Sequence, residues 1–119
     1  MSHAARSVLV FGVYLVATGL TLFIAPNVLL GLLNLPPTSE PWIRVLGIAV
    51  GAQGAIHVAA ARQELVAFFR ITTAARWLVL PALVVLVALH WAPPILMLFG
   101  LIDTAAAVWT MTALRRAGG

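Results

Sequence analysis

Apolar residues run almost without interruption through four stretches of this chain, and the short segments between them hold nearly all of its charges. A membrane-crossing helix needs about 20 such residues at about 1.5 Å of rise each. On that measure the spans cover about 7–25, 42–61, 72–91 and 94–114. Pro26 ends the first, because it has no N–H to donate to the preceding turn. Asn27 to Leu33 is apolar but only about two turns long, which predicts a short helix lying at the membrane interface. The prolines of Asn34 to Pro41 make that stretch a turn. Arg62 to Arg70 reads as a charged, aromatic connection, after which Thr72 or Thr73 caps the third span. Pro81 should kink this span, and Pro93 with Pro94 starts the fourth. The expected fold is therefore all-α: a single-domain polytopic membrane protein, with four transmembrane helices in a bundle and a short interfacial helix after the first.

Projected at 100° per residue, the polar positions inside the spans share faces. Ser7, Tyr14, Thr18 and Thr21 form one stripe of the first span, and Gln53 and His57 are an i, i+4 pair on the second. On the fourth, Asp103 and Thr110 share a side with Gly100, Ala106 and Ala107, and such small neighbours suit a helix contact better than lipid. Counting from the arginines near the termini puts Asp103 and Thr18 at roughly 18 Å depth, and Gln53 and Tyr14 at roughly 12–14 Å. These matched heights predict a polar seam inside the bundle. Its centre is Asp103, since a carboxylate near mid-bilayer costs at least ~3 kcal/mol and needs compensation. Asp103 is either neutral and donating to Thr18, Gln53 or Tyr14, or ionised and paired with a cation. Arg44 is the expected partner, directly or through water, in preference to His57. The candidate ligand-binding set is thus Asp103, Arg44, Gln53, His57, Tyr14 and Thr18.

Charge adds orientation. Arg6, Arg62, Arg70, Arg76, Arg115 and Arg116 fall on the side that holds both termini, against Arg44 alone on the other. That bias predicts that both termini are cytoplasmic. The same arginines account for the net charge of +4, so a nucleic-acid partner is not implied. Trp42, Trp77 and Trp91 lie near span ends, where indoles anchor at the interface. The first apolar run is too long for a signal-peptide core.

Several chemistries are excluded. The chain has neither Cys nor Lys, which removes thiolate and Schiff-base mechanisms. His57 and His90 sit near opposite membrane faces and no ligand cluster accompanies them, so neither a metal nor a haem is expected. No nucleophile–base arrangement or phosphate-binding glycine loop is present, so no catalytic residue is assigned and no cofactor is expected. Small multidrug-resistance transporters also have four spans, but depend on a Glu in the first, which is missing here.

The stretches Leu35–Gly47 (LPPTSEPWIRVLG), Ala60–Arg76 (AARQELVAFFRITTAAR) and Ala92–Thr110 (APPILMLFGLIDTAAAVWT) resemble small bacterial four-helix membrane proteins of the DoxX-like group, and within it a domain-of-unknown-function branch. Trp42, Arg44, Arg70 and Asp103 are the landmarks. The resemblance implies a membrane partner of redox enzymes, with a quinone, lipid or partner-protein role. Two forms of non-catalytic function follow: a bundle that holds a lipid or quinone-like molecule, or an accessory subunit that docks a membrane partner or a second copy through Gly47 and Gly51. The alternative is a small oligomeric transporter or channel in which Asp103 titrates, and an enzyme acting on lipid or quinone ranks third.

Overall fold

A computed structural model describes residues 1–118, which are all-helical with no strand among them. Helix α1 spans His3–Ile24, α2 Pro26–Leu32, α3 Trp42–Arg62, α4 Val66–Arg76 and α5 Val79–Ala88; a 3-10 turn at Pro94–Leu96 leads into α6, Met97–Gly118. Four segments are long and apolar enough to cross a membrane: His3–Ile24, Trp42–Arg62, Val66–Ala88 and Pro94–Ala117. Their large apolar side chains point largely outward, with Trp42 73% and Trp91 75% exposed at span ends. Contacts divide the chain into two compact units, one of residues 1–8 and 60–119, the other of residues 9–59.

The third span differs from the sequence reading. It begins at Val66 rather than at residue 72, and only Gln63–Leu65 connects it to α3. Thr72 and Thr73 are buried inside α4 and cap nothing; the Thr73 hydroxyl donates back to the Phe69 carbonyl over 2.7 Å. The cause is an i, i+3, i+4, i+7 face of Phe69, Thr72, Thr73 and Arg76, all buried, which lets α4 pack although Arg70 is exposed on its other side. Pro81 bends this span as expected: Trp77 and Leu78 keep helical backbone, but the hydrogen-bond ladder is interrupted there. Pro81 has no N–H for the Trp77 carbonyl.

Three helices end in one way. Asn34, Glu64 and His90 adopt φ of 56°, 54° and 61°. After α2, Leu35 N–H bonds the Leu30 carbonyl (2.8 Å) and Asn34 N–H the Gly31 carbonyl (3.1 Å). Leu65 to Ala60 with Glu64 to Ala61 repeats this after α3, and Trp91 to Leu86 with His90 to Val87 after α5. These are Schellman closures, built without the usual glycine. They satisfy carbonyls that have no helical partner.

The connection after α3 also holds the start of the chain. Glu64 accepts from the Ser2 N–H and from the Ser2 hydroxyl, each at 2.7 Å, and Ser2 Oγ accepts from Ala5 N–H at 3.0 Å. Ser2 is thus the N-cap of α1, and the Glu64 charge faces the positive end of that helix. Hydrogen bonds from Ser2 hold the Glu64 carboxyl below its ordinary value of 4.5.

In the second unit α1 and α3 run antiparallel at backbone contact. A Cβ on Gly19 would lie 2.6 Å from Gly51 Cα and 2.7 Å from the Gly47 carbonyl oxygen. One on Gly54 would meet the Val16 nitrogen at 2.6 Å and the Gly12 oxygen at 2.7 Å. The working pattern is therefore Gly12 and Gly19 facing Gly54 and Gly47, seven residues apart on each helix. Gly51 is not one of the four: its Cβ would find only Gly19 Cα, at 3.9 Å. Close approach of this kind is how membrane helices associate without a hydrophobic driving force.

Gly47→Ala is expected to lower stability by about 1–3 kcal/mol, as backbone overpacking does. Gly51→Ala is expected to leave it unchanged or raised, and thermal unfolding in detergent checks both. A second expectation concerns pH. A carboxyl held low in the fold stabilises it above the unfolded-state value, and that stabilisation disappears as pH falls through the folded-state value. The unfolding midpoint of Glu64→Gln should lie below that of the wild type at neutral pH, and the gap should close as pH drops below 4.5.

Candidate functional site

The first unit is lined with small and polar side chains. Ala4, Ala5, Ser7, Val8, Phe69, Ala107, Thr110 and Ala113 are buried there, with Thr72, Thr73 and Arg76. Gly100 lets α6 lie against α5, where a Cβ would meet the Leu80 and Leu83 methyls at 2.9 and 3.0 Å. Further along the same face come Asp103, Ala107 and Thr110. The Thr110 and Ser7 hydroxyls are 2.6 Å apart; Ser7 also reaches the Ala4 carbonyl at 2.7 Å and Thr110 the Ala106 carbonyl at 3.1 Å. Two hydroxyl hydrogens can make only two of these three bonds at a time, so when one hydroxyl donates across the helices to the other, it gives up its own carbonyl; that cross-helix bond ties the first turns of α1 to α6.

Arg76, which the sequence places near the start of the third span on the side of the termini and which is not among the candidate site residues, is 4% exposed and ends α4 inside that span. Its Nε donates to the Thr72 carbonyl at 3.4 Å, and its charge interacts with that of Asp103 on α6. Two opposite charges are therefore held on packed helices, within segments that otherwise match lipid. The hydroxyl of Thr104, next in sequence to Asp103, is buried with no hydrogen-bond partner among the described residues. A signal for Arg76 did exist: counted from Val66 it lies roughly 15 Å into its helix, close to the roughly 18 Å of Asp103.

The other five candidates lie in the second unit. Arg44 does not reach for a carboxylate. Its guanidinium donates to the Phe23 carbonyl and, at 3.3 Å, to the Ile24 carbonyl. Pro26 prevents α1 from continuing, so these are carbonyls at a helix C-terminus, where a cation is favoured. The expected Asp103–Arg44 pairing is thus replaced, on each side, by a different partner. Gln53 is exposed, and only its backbone carbonyl is engaged, by His57 Nδ1 at 2.7 Å. That bond places the proton of a neutral imidazole on Nδ1. His57 is buried against the Phe11 ring edge-on (5.5 Å, 67°), and Tyr14 leans on the same ring at 5.8 Å. Thr18 is half-buried. Gly47 and Gly51, offered as a docking face, pack against Gly19 within the chain. Among the described residues no group of three potential metal ligands occurs.

Comparisons with protein-family models, curated proteins and solved structures find no match to this chain.

A charge held inside a span loses compensation when the opposite charge that interacts with it is removed. Arg76→Gln and Asp103→Asn are each expected to lower stability by about 1–3 kcal/mol, since the two charges interact without a direct hydrogen bond and Asp103 is half-buried. The double variant should lose clearly less than the sum. Denaturant unfolding in detergent reads this cycle, and strict additivity would show that the two charges are independent.

Proposed function

We propose that the protein is a non-catalytic integral membrane protein whose four spans form a bundle, with Arg76 and Asp103 receiving the polar head of a hydrophobic molecule, lipid or quinone-like. The observation that supports this is an arginine and an aspartate brought together inside two packed apolar spans. Ionisable groups at that depth are costly, and by default they mark function. An apolar environment with a few convergent polar groups is the usual make-up of a ligand site. In this reading the protein sits in a bacterial inner membrane with both termini cytoplasmic. Exposed Arg6, Arg62, Arg70, Arg115 and Arg116 against Arg44 keep that bias after Arg76 is removed from the count. Helix α2 lies at the opposite interface, its Val28 and Leu32 exposed toward lipid. The DoxX-like resemblance belongs to the same proposal, and with it service as accessory subunit of a membrane redox complex.

A transport reading has one observation in its favour. The third span is discontinuous beside Arg76, and broken helices line the sites of many transporters. In that case Asp103 titrates as substrate passes, and the bundle works as an oligomer.

Native mass spectrometry from a mild detergent, with lipid and quinone extraction, tests the proposal. The samples are the wild type and the Arg76→Gln/Asp103→Asn double variant, which removes both charges without stranding either. A lipid or quinone adduct on the wild type should be lost from an equally folded variant. No adduct on either would end the binding reading. Uptake into vesicles driven by a proton gradient and abolished by the same variant would move the assignment to transport.

A further inference from the structure

In the first unit a cavity of about 340 Å³ opens where the start of α1 meets the end of α6. It is the size of a small-ligand site. Trp109, Thr112, Ala113 and Arg116 line it from α6, at i, i+3, i+4 and i+7 on one helix face, and His3 faces them from α1. Ser2 also borders it, but its amide and hydroxyl are already engaged by Glu64. The polar groups left for a ligand are therefore the Arg116 guanidinium, the Thr112 hydroxyl and the His3 imidazole. None of the lining residues is acidic.

Depth orders these groups. Along α6, Trp109 lies roughly 10 Å further into the span than Arg116, with Thr112 between them. An apolar aromatic wall below and a cation with a hydroxyl above is the sequence of surfaces that a phospholipid presents in reverse, acyl chain below and phosphate above. Indoles favour that boundary, and an arginine next to it attracts anionic headgroups. We infer that this cavity holds the phosphate of an anionic phospholipid from the leaflet on the side of the termini, against Arg116, Thr112 and His3, with the glycerol and upper chain on Trp109. The inference rests on the membrane-spanning reading, but not on a ligand at Arg76 and Asp103.

Arg115 supplies the control. It is exposed beside Arg116 but does not line the cavity, so diffuse attraction and a built site make opposite forecasts. The full chain in mild detergent would be titrated with phosphatidylglycerol, phosphatidylcholine and inorganic phosphate, and retained adducts counted by native mass spectrometry. The wild type should retain phosphatidylglycerol in preference to phosphatidylcholine. Arg116→Gln should weaken that retention about fivefold, the effect of one surface arginine on anionic lipid, and Arg115→Gln should leave it unchanged. Trp109→Leu should also weaken it, by removing the apolar wall. The Arg76→Gln/Asp103→Asn variant should keep it, which separates this site from the one proposed above. Equal losses from Arg115→Gln and Arg116→Gln, or no preference between the two lipids, would overturn the inference. Displacement of the lipid by an equal concentration of inorganic phosphate would assign the cavity to free phosphate instead.

Discussion

The hydrocarbon core of a membrane offers no water to bond with, so every polar group that a span carries must find its partner within the chain. Several features of this molecule answer to that constraint or to its milder form at helix ends. The Schellman closures at Asn34, Glu64 and His90 satisfy the last carbonyls of three helices. Arg44 does the same for α1, where Pro26 prevents the helix from continuing. Asn27 pairs both side-chain atoms with the Thr38 backbone (3.2 and 2.9 Å), ordering the proline-rich connection. The hydroxyls of Thr21, Thr73 and Thr110 turn back on their own helices. Asp103 and Arg76 answer to it too, since each carries a charge that the other partly compensates across α4 and α6.

Within the two units, helices are held by different means. Residues 9–59 use four glycines at seven-residue spacing, so that α1 and α3 touch through backbone and gain dispersion contacts over their length. The first unit relies on small side chains, a hydroxyl pair and two interacting opposite charges around α6. A steric seam tolerates no added atoms, whereas a polar seam tolerates exchange of partners. That difference makes the first unit the better place for a ligand, and both sites proposed for this protein belong to it.

The sequence did not reveal all of this site. Asp103 stood out because an acid in an apolar run has few structural excuses. Arg76 did not, because an arginine immediately before a hydrophobic run and six residues after Arg70 looks like a charge at the membrane edge of its span. Its place on a buried face with Phe69, Thr72 and Thr73, in a helix that begins at Val66, sets it deeper. Arg44 misled for the opposite reason: it was the nearest cation by counting, but a helix end without partners competes for the same guanidinium. Gly47 and Gly51 formed a familiar pattern, yet Gly54 replaces Gly51 once the facing helix is known, since the register of α1 selects which glycines meet.

Hydropathy and the prolines by themselves determined that the chain is helical, that four segments are long enough to span, and where the first, second and fourth of them lie to within a few residues. Those properties are local: they depend on how many apolar residues follow one another and on where an N–H is missing. Pairing is not local. Which arginine meets Asp103, which glycines touch, and which helix end takes up Arg44 depend on helix register and on competition between partners distant in the chain. Those choices were made only by the tertiary structure.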